Sequence, residues 1–429
     1  MHALFAAHST VGHTQALRAI GGELLRAGHR AHFALTRIPW LPSFLPTPAP
    51  LRAATEVVAG VQRDGFSLVR TPFSVRAAFA ASRIANTRGY DELEWACRLF
   101  TADALASARV LLETLKRERT AVVVADYAFF GAWLAAEVAQ VPFVAVYHSG
   151  LPFPVAGQPP FGSGLAPGSD PRSWVEAEQR LSRLLQLVDR ALGKARASLG
   201  LTPVPAGMLG RPYATELNVL TSFEAIEPPR PDLRGPLLWA GPCLGQRAAG
   251  PTDFPWEELE GDSRPLVYVS LGTVFNDHPA LYRTLIEGVH LAGARAVVAA
   301  GNSLDAARAA AGPGDVVVRF APQVALLPKV AAFVSHGGNN STNEALRAGT
   351  PLVLVPFGGE QIANAQRVEA LGVGSWVHGE RLAPASVARE VLAALHPERR
   401  AKAQALAARL PPGDGAARVA AELLRRFSA

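Results

Sequence analysis

Cysteine and lysine are scarce in this 429-residue chain: two of the former, Cys97 and Cys243, and four of the latter among 42 basic residues. Two thiols build neither a disulfide framework nor a thiolate zinc site, and they suit a reducing compartment. Charged residues make up 18% of the chain against 49% hydrophobic, which excludes a disordered polymer and supplies material for two cores. No uninterrupted apolar run reaches ~18 residues, so no membrane-spanning helix is expected. The first 13 residues lack a basic segment and do not read as a secretory leader, so a cytoplasmic protein is expected. The net charge is +6, yet no basic cluster interleaves with aromatics. Nucleic acid is therefore not an expected partner, and the balance suits mild attraction for phosphate-bearing small molecules.

Missing motifs narrow the chemistry further. The loop after the first apolar run reads His8-Ser9-Thr10-Val11-Gly12-His13, without the G-x-G-x-x-G of dinucleotide binding. There is no P-loop, which removes that route to phosphoryl transfer. There is no Asp-x-Asp pair, so no metal clamp on a pyrophosphate is expected and no metal or cofactor is assigned. There is no G-x-S-x-G elbow of the α/β-hydrolases.

What is present has a βα rhythm. Residues 2–7 form a short apolar run and residues 9–12 a glycine-containing loop. Leu17, Ile20, Leu24 and Leu25 recur at helical spacing up to Gly28, and a second strand begins at residues 30–36. Prolines break residues 38–72, whereas residues 121–126 are a continuous apolar strand of the kind buried on both faces. Another strand is predicted at 142–147, a loop at 151–171 and a helix at 174–199. The proline-rich stretch 224–265 reads as a connector. After it, strands are predicted at 266–271, 295–300, 316–320, 331–335 and 351–356, then helix from 384 with a break near 411–415. The expected organisation is α/β. It comprises a Rossmann-like domain over 1–225, a linker over 226–262, a second Rossmann-like domain over 263–408, and a C-terminal helix over 409–429 that packs back on the first domain.

Residues just after strands carry the weight in such sheets. His336-Gly337-Gly338-Asn339-Asn340-Ser341-Thr342-Asn343-Glu344 follows a predicted strand and opens a helix. Its glycines let backbone approach a bulky anion, Asn340 and Ser341 are good cap types, and His336 adds a donor. With the helix N-terminus this makes a diphosphate cradle. Glu344, one turn on, suits vicinal hydroxyls such as those of a ribose. Glu360-Gln361 opens another helix with chemistry suited to a hexose. Phe320-Ala321-Pro322-Gln323 offers an aromatic face and an amide for a nucleoside. Ser270-Leu271-Gly272-Thr273 offers hydroxyls and a glycine to a phosphate.

Residues 320–365 together with 270–273 resemble the C-terminal signature of the family 1 UDP-dependent glycosyltransferases, of the bacterial natural-product type. That signature runs aromatic-Ala-Pro-Gln, His-x-Gly-x-Asn-Ser-x-x-Glu, then Asp/Glu-Gln-x-x-Asn. The resemblance implies the GT-B fold, two Rossmann-like domains with parallel sheets facing across a cleft, the donor in the second and the acceptor in the first. It implies that Phe320, Ala321 and Gln323 hold the base and ribose, and that His336, Gly338, Asn340, Ser341 and Thr273, with Ser270, hold the diphosphate. Glu344 would bind the ribose hydroxyls, which favours UDP over dTDP, and Glu360 and Gln361 would bind the sugar. UDP-glucose is the expected donor, with a dTDP-sugar as the alternative.

The same resemblance places a general base at His13, beside Gly12, because an acceptor hydroxyl must lose a proton near neutral pH. Asp126 would fix its tautomer. His8 is a lesser competitor, and His148 is expected to line the acceptor site. Trp40, Phe44, Phe73, Phe79, Phe129, Phe130, Tyr147 and Phe153 are candidates for an apolar acceptor wall. The expected activity is metal-independent, inverting transfer of a hexose to a hydroxyl of a hydrophobic small molecule, a polyketide, macrolide, carotenoid or phenolic. The alternatives are a lipid or cell-envelope acceptor, or a silent nucleotide-sugar-binding subunit. The expected state is a monomer or weak dimer.

Overall fold

The computed structural model describes residues 1–37, 49–84, 87, 89–148, 151, 159–163, 165, 169–203, 216–227, 236–245, 253–272, 276–378 and 382–428. The chain forms two compact units. The first comprises Met1–Phe223, Pro229–Gly245 and Gly413–Ala429, and the second Glu224–Pro228 and Gln246–Pro412.

The first unit is built on strands β1 (His2–Ala7), β2 (Arg30–Thr36), β3 (Ser67–Thr71), β4 (Val122–Asp126), β5 (Phe143–Tyr147), β6 (Leu217–Leu220) and β7 (Leu237–Trp239). They pair in parallel in the order β3-β2-β1-β4-β5-β6-β7. β1 and β4 are buried at every position, because helices cover both faces. Ala3, Phe5 and Ala7 pack into one core, while Leu4 and Ala6 pack into the other. Val122 and Val124 divide from Val123 and Ala125 in the same way, as the two-residue repeat of a strand requires.

The second unit repeats the plan with β8 (Leu266–Ser270), β9 (Arg295–Ala299), β10 (Val316–Val318), β11 (Ala332–Ser335), β12 (Leu352–Leu354) and β13 (Gly374–Trp376). Its parallel order is β10-β9-β8-β11-β12-β13. In both sheets the order reverses beside the first strand, and the carboxyl ends there are where a doubly wound sheet binds ligands.

The strands β3, β6, β7 and β13 have no counterpart in the sequence reading. They are three to five residues long, too short to show a period against their proline-rich or polar surroundings. The proline-rich stretch is no simple linker. β7 joins the first sheet by pairing with β6. Glu227 instead holds Arg367 of the second unit at 2.8 Å. The C-terminal helix Gly415–Phe427 belongs to the first unit, where Asp414 caps it through Ala416 N–H at 2.9 Å. The same carboxylate accepts from Leu244 N–H (2.9 Å) and Gly245 N–H (2.7 Å). Cys97 and Cys243 are both buried and unpaired with each other. Among the described residues no helix is long and apolar enough to cross a membrane.

Candidate active site

In the second unit, strand β11 leads through His336, Gly337 and Gly338 into the helix Asn339–Ala348. The cap is Gly338, not Asn340 or Ser341, which lie inside the first turn. The reason is steric. A Cβ on Gly338 would sit 2.5 Å from His336 Nε2, so only glycine fits beside the ring. Gly337 has φ 85°, the left-handed conformation that turns strand into helix. The first-turn amides of this helix point out of its N-terminal end, where its partial positive charge lies.

His336 is half-buried, and the loss of solvent around its ring pushes its pKa down to about 4. At neutral pH it is therefore an uncharged imidazole, and the positive charge at this end of the helix is that of its terminus.

Gln323 opens the short helix Gln323–Leu326, where Ala321 O accepts its backbone N–H at 2.8 Å. Its side-chain amide donates to Glu344 Oε2 (2.8 Å) and Ser341 Oγ (3.2 Å). Its carbonyl accepts from the Tyr268 hydroxyl at 3.3 Å. The structure thus ties three of the expected nucleoside and phosphate ligands into one network on a fourth residue that the sequence reading did not single out. Tyr268 lies in the middle of β8, stacked on Phe333 at 4.6 Å, and burial raises its pKa. An apolar strand gives no sign that one of its aromatics carries a working hydroxyl. Phe320 stands beside this network with 64% of its surface exposed, an aromatic face open to stacking.

Ser270 ends β8 and its hydroxyl accepts from Gly272 N–H at 3.3 Å. Thr273 lies outside the described residues. Glu360 is half-buried in the first turn of the helix Gly359–Ala370. Gln361 is buried, and its side-chain carbonyl accepts from Phe357 N–H at 2.9 Å.

In the first unit the structure gathers residues from the ends of β1, β4 and β5. Gly12 and His13 are not in a loop: the helix Val11–Arg26 already includes them. His13 Nδ1 lies 3.0 Å from Asp126 Oδ1, which also accepts from Ala128 N–H at 2.9 Å. Burial disfavours charge on Asp126, but the adjacent His148 and His13 outweigh it and hold the carboxyl well below the usual carboxylate range. An ionised carboxylate only accepts, so His13 Nδ1 carries the hydrogen and Nε2 the lone pair. This is the orientation a proton-accepting imidazole needs.

His148 is not merely a wall residue. Its Nδ1 contacts Asp126 Oδ2, and its ring lies 4.0 Å from that of His13. Strand pairing explains it: Asp126 pairs with Val146 in register, so the chain delivers His148 two residues later to the same edge of the site. His8 takes a different part. It is buried between Phe100 and Phe129, each 5.0 Å away, and its Nε2 meets Ala128 O at 3.4 Å. Burial, with the charges of His13 and His148 beyond it, lowers its pKa to about 4.

A small recess of about 10 Å³, room for a single water, lies beside His8, lined by Thr36, Phe73, Phe100, Phe129 and Phe130 among others. Phe100 also lies 5.4 Å from the His13 ring, a contact the sequence reading missed because its helix carries no loop or turn signal. Of the other expected wall aromatics, Tyr147 is core, stacked on Tyr127 at 5.0 Å. Phe79 is exposed against Trp95. Trp40, Phe44 and Phe153 lie outside the described residues.

A family model described as UDP-glucoronosyl and UDP-glucosyl transferase matches residues 255–398. The 4'-demethylrebeccamycin synthase of Lentzea aerocolonigenes is 31% identical over 308 residues, 68% of this chain and 70% of that protein. The NDP-glycosyltransferase YjiC of Bacillus subtilis is 35% identical over 156 residues, 36% of this chain. The chain spans only 39% of YjiC and 41% of the B. subtilis UDP-glucosyltransferase YojK. Among solved structures, the glycotransferase of kitacinnamycin superposes with a TM-score of 0.75 at 20% identity, covering 99% of each chain. The calicheamicin glycosyltransferase CalG4 does so at 0.73 and 23% identity, covering 100% of this chain and 99% of its own. The fold is GT-B, and the chain belongs to the UDP-glucoronosyl and UDP-glucosyl transferase family, family 1 of the glycosyltransferases.

Proposed function

We propose that this protein transfers a hexose from a nucleoside diphosphate sugar to a hydroxyl of a hydrophobic natural product, with inversion at the anomeric carbon and without a metal. The observation that carries this reading is the His13–Asp126 contact of 3.0 Å in a chain whose second unit bears the Gln323–Ser341–Glu344 network.

His13 Nε2 takes the acceptor's hydroxyl proton, and Asp126 stabilises the imidazolium that forms. The acceptor oxygen bonds to the anomeric carbon as the bond from that carbon to the diphosphate breaks. The leaving diphosphate takes up the electron pair and meets the N-terminus of the helix Asn339–Ala348, with His336 as a neutral donor. Glu344, fixed by Gln323, accepts from ribose hydroxyls, which supports UDP as the nucleotide. Phe320 stacks on the base, Thr273 assists the diphosphate, and Glu360 with Gln361 holds the sugar, glucose in this reading.

The aromatic rings packed around His8 and His13 support a hydrophobic acceptor. The related 4'-demethylrebeccamycin synthase and the oleandomycin glycosyltransferase of Streptomyces antibioticus, 33% identical over 159 residues, are named for natural products of this kind. A mass-spectrometric screen of apolar hydroxylated compounds with UDP-glucose and dTDP-glucose in parallel tests the reading. Glycosylated product with UDP-glucose, unaffected by EDTA and of inverted configuration by NMR, supports it. Strict metal dependence or retained configuration sinks it.

A further inference from the structure

We propose that His148 is a positioning residue that tunes the His13 imidazole through the Asp126 carboxylate the two rings share. The inference rests on the reading of His13 as base for its consequence in turnover, but its physical content does not.

The geometry is that of one anion between two imidazoles. Asp126 is 1% exposed, and the side chains of His13 and His148 are 17% and 15% exposed. Oδ1 takes His13 Nδ1–H and Ala128 N–H, and Oδ2 meets His148 Nδ1. The rings stand 4.0 Å apart, tilted by 51°. Asp126 remains ionised, so both Nδ1 atoms carry hydrogen, and in the neutral form of each ring Nε2 holds the lone pair.

One negative charge stabilises one imidazolium. A proton on His13 is favoured by Asp126, and so is a proton on His148. Protons on both would set two cations against a single buried anion. Each ring therefore suppresses protonation of the other, and the pair titrates as a coupled unit. A lone His–Asp pair would hold its proton to higher pH. With His148 in place, His13 stays an acceptor at lower pH. From β1 the His8 ring faces His13 at 5.9 Å, Phe100 packs on it without charge, and Tyr127 lies 5.5 Å from His148. Asp103, in the recess beside His8, has its carboxylate bound to Ser74 N–H at 2.8 Å.

The test is an NMR titration of the full chain with ring-labelled histidine, free of donor and acceptor, in wild type, His148→Gln and His148→Phe. Gln keeps an N–H donor for Oδ2 but cannot take a proton, so it separates coupling from packing. In wild type the His13 and His148 signals should share two titration steps. In His148→Gln, His13 should titrate in one step with its midpoint raised by about one unit. His148→Phe should raise it at least as far, and His13→Gln should raise that of His148 in return. Independent steps in wild type, or an unmoved His13 midpoint in His148→Gln, overturn the proposal. The acid limb of kcat/KM should move in step with the His13 midpoint. If the midpoint moves and the limb does not, tuning holds and the assignment of His13 as base fails.

Discussion

The His336 ring occupies the space that a side chain on Gly272 would need: a Cβ there would lie 2.6 Å from His336 Cε1, and Gly272 has φ +74°. A Cβ on Gly338 would likewise lie 2.5 Å from His336 Nε2. Two loops, after β8 and after β11, are thus shaped around one neutral imidazole.

Gly338→Ala should push His336 from this slot and lower UDP affinity about tenfold or more by calorimetry, while the overpacking costs about 1–3 kcal/mol of stability. An unchanged Kd for UDP would remove His336 from the diphosphate site.

His13→Ala should lower kcat by about 100- to 10,000-fold with UDP affinity close to wild type. Asp126→Asn should also lose turnover, because an amide offers one acceptor oxygen where the carboxylate offers two, and Oδ1 and Oδ2 are both engaged. Steady-state kinetics beside calorimetry separates these effects from loss of donor binding.

Glu344→Ala should weaken UDP more than dTDP, since deoxyribose lacks one of the two hydroxyls a carboxylate accepts. Gln323→Ala should couple to it, because Gln323 Nε2 lies 2.8 Å from Glu344 Oε2. A double-mutant cycle on UDP affinity should give a coupling of about 0.5–3 kcal/mol. Additive losses would show that the two act separately.

His8 and His336 both have folded-state pKa values near 4, below the ordinary 6.5. Between those pH values the unfolded chain binds more protons at both sites than the folded one. Stability should therefore rise with pH from about 4 to 6.5 and be fully present above that range. Urea unfolding at pH 5 and pH 7 measures it, and His8→Phe should flatten the slope.

Asp414→Ala should release the C-terminal helix, since one carboxylate serves Ala416, Leu244 and Gly245 N–H groups. A cap of this kind contributes about 1 kcal/mol, so a lower Tm and early proteolysis near residue 413 are expected. An unaltered cleavage pattern would show that the apolar face of the helix suffices.

The donor signature was legible because its chemistry is local. Glycines, a cap, an aromatic and a carboxylate lie in two short runs after strands, and strand and helix follow from apolar period alone. The paired α/β halves were legible for the same reason, as β1, β2, β4 and β5 are near-continuous apolar runs. The short strands β3, β6, β7 and β13 were not, because pairing with a neighbour rather than their own composition makes them strands.

Sequence by itself determined which residue types stand at strand ends. Tertiary structure alone decided which of them meet. Register between β4 and β5 brings His148 to an aspartate 22 positions earlier in the chain. Packing across β8 and β11 gives Gln323 a tyrosine from the middle of a strand, and places one ring between two glycines. Such contacts join residues far apart along the chain, and no periodicity of the sequence encodes them.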